Sequence, residues 1–306
     1  MSEKVQLPDE RNADILININ GILHKREDAK VSVFDSVVQG GDAVWEGIRV
    51  YNKKVFMLEE HLDRLMDSAK AMAFAQIPSR DSVRKEIFRT LNANKMYDEA
   101  HMRLTLTRGE KTTSGMSPHF NQSGPTLIIL AEWKKPVYNA SGIKLITSSI
   151  RRNSPQCVDS KIHHNNLINN ILAKIEANLA GVDDAVMLDI NGFVSETNAT
   201  NIFFVKNGVT YTPFADSCLP GITRRNVILL ARANDIPIEE KMLTIAEMYA
   251  ADEAFVTGSM GELTPVLTID GRQIGEGETG KFTKKFMTLY QAKCASEGVE
   301  IPEDII

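Results

Sequence analysis

Cysteine is scarce in this 306-residue chain: only Cys157, Cys218 and Cys294 occur, each isolated. An odd count without a CxxC pair excludes a disulfide framework and a cysteine zinc site, and a reducing, cytoplasmic compartment is expected. Long apolar runs are lacking too. TLIILA, Thr126 to Ala131, is far too short to span a bilayer, so no membrane partner is expected. MSEKVQLPDERNAD at the N-terminus has no apolar core of a signal peptide. Positive charge is not in excess: the formal net charge is -5 and the pI is near 5.8, which argues against a nucleic-acid partner. No internal repeat or low-complexity tract occurs. GSMGE, Gly258 to Glu262, is not spaced as GxGxxG, which leaves a dinucleotide fold little support.

What is present is ordinary globular composition, 43% hydrophobic and 25% charged, with length for one large or two medium domains. DILININGIL (Asp14 to Leu23) and VWEGIRVY (Val44 to Tyr51) read as strands, the second turning through Asn52-Lys53-Lys54 into VFML. Glu59 to Phe74 reads as a helix with Leu62, Leu65, Met66, Ala69 and Met72 inward. Ser79 to Met96 reads as another, capped by Ser79 or Asp81. HMRLTLTRG and TLIILAEW are strands. KKPVYNASG, residues 134–142, gathers Pro, Asn, Ser and Gly and is the candidate linker between domains at 1–133 and 143–306. The second block mixes strands (GIKLITSSI, DAVMLD, GFVSET, NIFFVKNGVTYT and EAFVTGSMGELTPVLTIDGRQIG) with helices near 166–181, 223–234, 245–249 and 281–298. Without a regular βαβ beat, this predicts an α+β fold.

VDSKIHHNNLINNILAKIEANLAG, Val158 to Gly181, carries the question of function. From Asn166 the helical spacing of Leu167, Ile168, Ile171, Leu172, Ile175 and Leu179 predicts one apolar face, capped by Asn165 or Asn166 and stopped at Gly181. Lys161 lies off that stripe, in a polar lead-in where a solvated surface lysine would look the same. LPGIT, Leu219 to Thr223, puts Pro220 and Gly221 before a helix beginning near Thr223, whose free amides and Thr223 hydroxyl suit a phosphate, or simply form a loop with a threonine cap. GSMGE offers two glycines, Gly258 and Gly261, for an exposed backbone and the Ser259 hydroxyl, or a plain tight turn. Glu196 in FVSETNATNIFFV breaks an apolar strand pattern, as a surface carboxylate also would. His163 and His164 have no third ligand at metal spacing, so no metal is expected.

Seven stretches together, GDAVWEGIRVY, EEHLDRLMDSAK, MRLTLTRG, DSKIHHNNLINNILAKIEA, GFVSETNATNIFFV, CLPGIT and TGSMGELTPV, occur in the order seen in one family. On them the chain resembles the fold-type IV (class IV) pyridoxal-phosphate aminotransferases, specifically the branched-chain aminotransferases and their like. The resemblance spans nearly the whole chain. It implies the two-domain α+β architecture of that fold type, of which D-amino-acid aminotransferase is another member, and a homodimer or higher homo-oligomer.

The resemblance also implies roles. Lys161 forms a Schiff base with pyridoxal 5'-phosphate and moves the substrate proton. Glu196 sits against the pyridine nitrogen, and Arg64 holds the phosphate as a planar fork, helped by Gly221, Ile222, Thr223 and Ser259. The amides of Met260 and Gly261 face the substrate α-carboxylate. The substrate side is lined by Trp45, Arg49, His101 and Arg103, with Arg103 or Arg49 receiving the distal carboxylate of glutamate or 2-oxoglutarate. The sequence departs from the family pattern after Lys161, where a tyrosine is replaced near Asn166, and around Gly40, His101 and Trp45. The expected reaction is amino transfer from an apolar, branched-chain L-amino acid to 2-oxoglutarate. The alternatives are an (R)-selective amine or D-amino-acid transaminase, an aminodeoxychorismate lyase, and a non-catalytic protein that binds the cofactor.

Overall fold

The computed structural model describes residues 6–303 and 305; the first five residues of the charged N-terminal stretch lie outside the described residues. The strand expected over 14–23 is a hairpin of β1 (Leu16–Ile19) and β2 (Ile22–Lys25). Its turn residues Asn20 and Gly21 have φ of 51° and 81°. Asn-Gly is the residue pair that a two-residue turn with positive φ favours, and the signal was there to be read. Next come α1 (Ser36–Gly40), β3 (Ala43–Tyr51) and β4 (Lys54–Val55), the last two closing through Asn52 and Lys53 as the sequence predicts. α2 (Leu58–Ala71) buries Leu62, Leu65 and Ala69, whereas Met66 and Met72 stay half-buried. Ser79 caps α3 (Arg80–Asn94), its hydroxyl accepting from the Ser82 amide at 3.2 Å. β5 (Ala100–Thr107) and β6 (Thr126–Trp133) pair antiparallel beside β3 along their full lengths.

The later elements are β7 (Ile143–Thr147), α4 (Ile168–Leu179), β8 (Asp184–Leu188), β9 (Val194–Thr197), β10 (Asn201–Lys206) and β11 (Val209–Thr212). They continue with α5 (Ile222–Ala233), β12 (Ile238–Glu240), α6 (Ile245–Tyr249), β13 (Glu253–Gly258), β14 (Glu262–Ile269), β15 (Arg272–Gln273), α7 (Lys281–Ser296) and β16 (Val299–Glu300). One sheet runs β16-β4-β3-β5-β6-β1-β2 and is antiparallel wherever its strands pair. The other runs β12-β11-β10-β13-β14-β7-β8-β9, with β15 beside β14. In it β7 is parallel to both β8 and β14. This is the α+β arrangement expected, with antiparallel pairs predominating. Its core includes Phe203 and Phe255, stacked at 5.0 Å, and Phe286 of α7 at 5.5 Å from Phe255.

Two compact units result. The first runs to Lys135 and adds His163–Asn166 and the chain from Glu297; the second holds Pro136–Ile162 and Leu167–Ser296. This differs from a contiguous split at 134–142 in two places, each with a backbone cause. The Trp45 amide donates to the His163 carbonyl and the Asn165 amide to the Ala43 carbonyl, both at 2.9 Å, which tacks 163–166 onto β3. β16 pairs with β4.

α4 overturns an expectation. Its large aliphatic side chains do not face the core: Ile168, Ile171, Leu172, Ile175 and Leu179 are 42–84% exposed. Ala173 and Ala177 are buried instead, packed on Ala185 and Met187 with Ile146, Ile150 and Val182 around them. Small side chains let a helix lie close on a sheet, and the polar residues follow them inward: Asn169 and Asn170 reach Arg152, and Glu176 accepts from Ser148 and Ser149. Periodicity identifies a stripe but not which stripe meets the sheet. The asparagine cap is absent too, since Leu167 occupies the N-cap without a side-chain bond. The stop at Gly181 is as expected, with φ of 68°.

Candidate active site

In the second unit the site is assembled around two side chains of the strand pair β9 and β10. All four residues of β9 are buried, Glu196 among them. Arg152, which follows β7, donates from Nε to Glu196 Oε1 at 2.7 Å, and Asn201 of β10 donates from Nδ2 to Oε2 at 3.2 Å. Burial raises the Glu196 carboxyl above its usual range, against the opposing pull of the Arg152 charge. Asn201 also donates to the Leu219 carbonyl at 2.9 Å and accepts from the Gly221 amide at 3.1 Å. It thereby joins the buried carboxylate to the start of α5.

That helix start suits an anion. Gly221 is the N-cap and makes no side-chain cap bond, so the first amides, at Ile222 and Thr223, point out of the helix without an intrahelical acceptor. A Cβ on Gly221 would fall 2.1 Å from Asn201 Oδ1, so the close approach of this loop to Asn201 requires glycine. Thr223 is buried, with its hydroxyl 3.5 Å from that of Tyr290 on α7. Ser259, Met260 and Gly261 form the tight turn between β13 and β14, whose ends pair at Gly258 and Glu262. The Met260 carbonyl accepts from the Val137 amide at 3.1 Å. Lys161 is exposed in the loop before α4, with its backbone amide on Asp159 Oδ1 at 2.9 Å. A buried carboxylate linked to an uncapped helix start is a donor and acceptor set that fits a protonated pyridine ring bearing a phosphate.

In the first unit a second buried carboxylate, Glu46 of β3, is saturated. Its Oε1 accepts from Arg64 Nε at 2.7 Å and lies 3.1 Å from His163 Nδ1. Its Oε2 accepts from Arg64 Nη2 at 2.7 Å and lies 2.6 Å from His61 Nδ1. Burial alone would raise this carboxyl, but the Arg64 charge and His163 hold it well below the usual range. His163 is thus a hydrogen-bonding neighbour of Glu46. Among the described residues no group of three His, Cys, Asp or Glu side chains is placed to hold a metal ion. Burial drives the His163 imidazole down to about 4, so it is neutral at pH 7 despite Glu46.

The expected substrate-side residues lie together on β3 and β5, where Arg49 is opposite His101 and Gly47 opposite Arg103. Arg103 stacks on the Trp45 ring, its guanidinium carbon 3.7 Å from the centroid. Its Nη2 donates to Asn165 Oδ1 at 3.5 Å, and burial lowers it to about 10. Arg49 donates to the Lys134 carbonyl at 2.7 Å. His101 is buried, its Nε2 without a partner among the described residues, and is driven to about 3 by burial and by the charges of Lys134, Arg49 and Arg103. Asn166 is exposed and donates from Nδ2 to the carbonyls of Gly40 and Gly41 at 3.3 and 3.2 Å.

Sequence reasoning missed Glu46, Arg152 and Asn201. Glu46 carries the same signal that singled out Glu196, a carboxylate interrupting an apolar strand. Arg152 and Asn201 carry none, because each sits in a polar stretch and its importance comes from a partner distant in sequence.

Comparison with known proteins bears on this geometry. The model of the amino-transferase class IV family matches residues 43–269. "Branched-chain-amino-acid aminotransferase-like protein 2" of Arabidopsis thaliana is 59% identical over 97% of this chain, and the chain spans about half (53%) of that relative's length. The crystal structure of the Escherichia coli branched-chain amino acid aminotransferase superposes with a TM-score of 0.85 at 33% identity, covering 93% of this chain and 96% of that one. The branched-chain amino acid aminotransferase of Thermobaculum terrenum, solved in its PLP-form, superposes with a TM-score of 0.84 at 25% identity, covering 93% and 95%.

The two neutral histidines predict a pH dependence of stability. Between about 6.5, the ordinary histidine value, and the lowered values of about 4 and about 3, the unfolded chain binds protons that the folded chain does not. Stability therefore falls as pH drops through this window, by up to about 1.4 kcal/mol per pH unit for each histidine. Urea unfolding at pH 7 and pH 5 should show a smaller loss for His101→Gln than for the unaltered protein. An identical loss in both would mean that His101 is not held neutral.

Proposed function

This chain belongs to the class IV aminotransferases, and we propose that it moves an amino group from an apolar, branched-chain L-amino acid to 2-oxoglutarate. The observation that carries the acceptor half is Arg103. It is a desolvated guanidinium stacked on Trp45, with no carboxylate in salt-bridge range among the described residues. Such a group favours a carboxylate brought by a ligand, in a planar, two-pronged contact. Arg49 is the second candidate for that contact, and Trp45 gives an apolar wall to the donor side chain.

Pyridoxal 5'-phosphate, the cofactor of this family, withdraws electrons from the α-carbon of the amino substrate when bound. Lys161 would hold it through its side-chain amine, and the same Nζ would carry the α-proton. Glu196 keeps a proton at the ring nitrogen. Arg64 binds the phosphate, backed by Glu46, together with Gly221, the amides of Ile222 and Thr223, and the hydroxyls of Thr223 and Ser259. Asn166, whose Nδ2 is engaged with Gly40 and Gly41, offers Oδ1 to the ring hydroxyl. The Met260 and Gly261 amides take the substrate α-carboxylate, and neutral His101 adds a polar, uncharged contact beside Arg103.

Assembly as a homodimer is part of this reading. Supporting it is the outward stripe of α4, five large aliphatic side chains on one helix, a surface of the kind that marks association. The two ionisable residues of that helix turn to their own unit, Lys174 toward the Asp183 carbonyl and Glu176 toward Ser148 and Ser149, so the stripe itself is uncharged. The three free cysteines suit a reducing, cytoplasmic setting.

Four measurements test the reading. Borohydride reduction of the cofactor-loaded protein should fix the cofactor on the peptide containing Lys161; labelling of a different lysine overturns the assignment. Arg103→Ala should weaken kcat/KM for glutamate and 2-oxoglutarate by roughly 2–5 kcal/mol and that for leucine far less. Faster amino transfer from (R)-1-phenylethylamine or D-alanine than from L-leucine would replace the branched-chain reading with the amine or D-amino-acid one. Sedimentation should give a dimer or larger species that Leu172→Asp with Ile175→Asp converts to monomer, whereas an active monomer of the unaltered protein would rule out the assembly.

A further inference from the structure

The second unit contains a charged side chain that the reading above does not use. Arg152 is buried, and among the described residues its ion pair is with Glu196, at 2.7 Å with side chains 7% and 6% exposed. Its guanidinium is fixed from the other side by α4: Nη1 donates to Asn169 Oδ1 at 2.8 Å and lies 3.5 Å from Asn170 Oδ1. Both asparagines are themselves anchored, Asn169 by donating to the Arg151 carbonyl at 2.8 Å and Asn170 by donating to the Asn198 carbonyl at 2.7 Å. A planar cation clamped this firmly, with one carboxylate to serve, has a defined electrostatic duty.

We infer that Arg152 is a positioning residue that keeps Glu196 ionised and aimed, and so decides whether the proton shared with the cofactor's ring nitrogen stays on the ring. The inference rests on the reading of Glu196 as the ring partner. Two arrangements of that proton compete: carboxylate facing a protonated ring, or neutral acid facing a neutral ring. Burial favours the uncharged pair, because a carboxylate in a poorly polarisable interior is costly. The Arg152 charge, in direct contact with the carboxylate and one side chain further from the ring, favours the ionised acid more than it disfavours the protonated ring. Asn201 holds the other oxygen but, being neutral, cannot do this. The remaining ionisable neighbours do not substitute for it. Asp184 of β8 acts in the opposite direction, and the Cys218 thiol, raised by burial, is neutral.

The test uses the full chain loaded with pyridoxal 5'-phosphate labelled with 15N in the ring. The ring-nitrogen chemical shift reports its protonation directly, independently of turnover. Arg152→Met should move that signal toward the neutral-ring position and lower the midpoint of its titration by at least about one pH unit, a tenfold change. Arg152→Lys, which restores the charge, should return most of the shift. A purely structural role predicts the unaltered signal in Arg152→Met and overturns the inference. Glu196→Gln in the same experiment separates the two readings. If it moves the signal and Arg152→Met does not, the inference fails alone; if Glu196→Gln leaves the signal unmoved, the assignment of Glu196 fails first. Should Arg152→Met fold poorly, the Glu196 carboxyl can be titrated by 13C in the cofactor-free protein, where Asn169→Ala should raise it by freeing the guanidinium from α4. No change there overturns the inference as well.

Discussion

A carboxylate removed from water must be met by positive charge or several donors, and this protein does so once in each unit. Glu46 in the first unit and Glu196 in the second are both buried. Glu46 has two guanidinium nitrogens and two imidazoles around it. Glu196 has one guanidinium nitrogen and one side-chain amide, with the Leu219 backbone amide also favouring its ionised form. The opposite directions of their acidity follow from this difference. The fuller shell holds Glu46 well below the usual range, and the sparser one leaves Glu196 above it. A saturated carboxylate serves as a fixed support for Arg64. Glu196, with one charged donor, retains capacity to accept another hydrogen bond.

Rigid elements deliver these groups. Glu46 lies on a strand paired with β5 along its whole length, so Arg49, His101, Trp45 and Arg103 share one registered surface. Glu196 and Asn201 lie on successive strands, and Asn201 bonds to both ends of the short path from the carboxylate to the first turn of α5. Displacing that turn would therefore disturb the carboxylate. α4 acts in the same way from the other side. Its polar residues reach inward to Arg152, and its alanines seat it on β8.

Much of the fold was legible. Strands β3, β5 and β6 and helices α2, α3, α5 and α7 follow their hydrophobic periods, because burial of one face is a local property of the sequence. Two elements depart from the local expectation. Residues 14–23 form a hairpin turned at Asn20-Gly21 and not one strand. In α4 the alanines pack against the sheet and the larger aliphatics face outward.

The sequence by itself determined the class of elements, the family through seven ordered motifs, and the candidate residues those motifs contain. It did so because strand and helix periods and turn residues are encoded within a few positions of one another. Tertiary structure alone decided which arginine serves which carboxylate. Arg152 and Glu196 are 44 positions apart, and Glu46 and His163 are 117 apart. Their contacts depend on how strands pair and where loops return, and no short-range signal records that. The same holds for the direction α4 faces: the pattern sets its two stripes, and only the shape of the sheet beneath selects the one with small side chains.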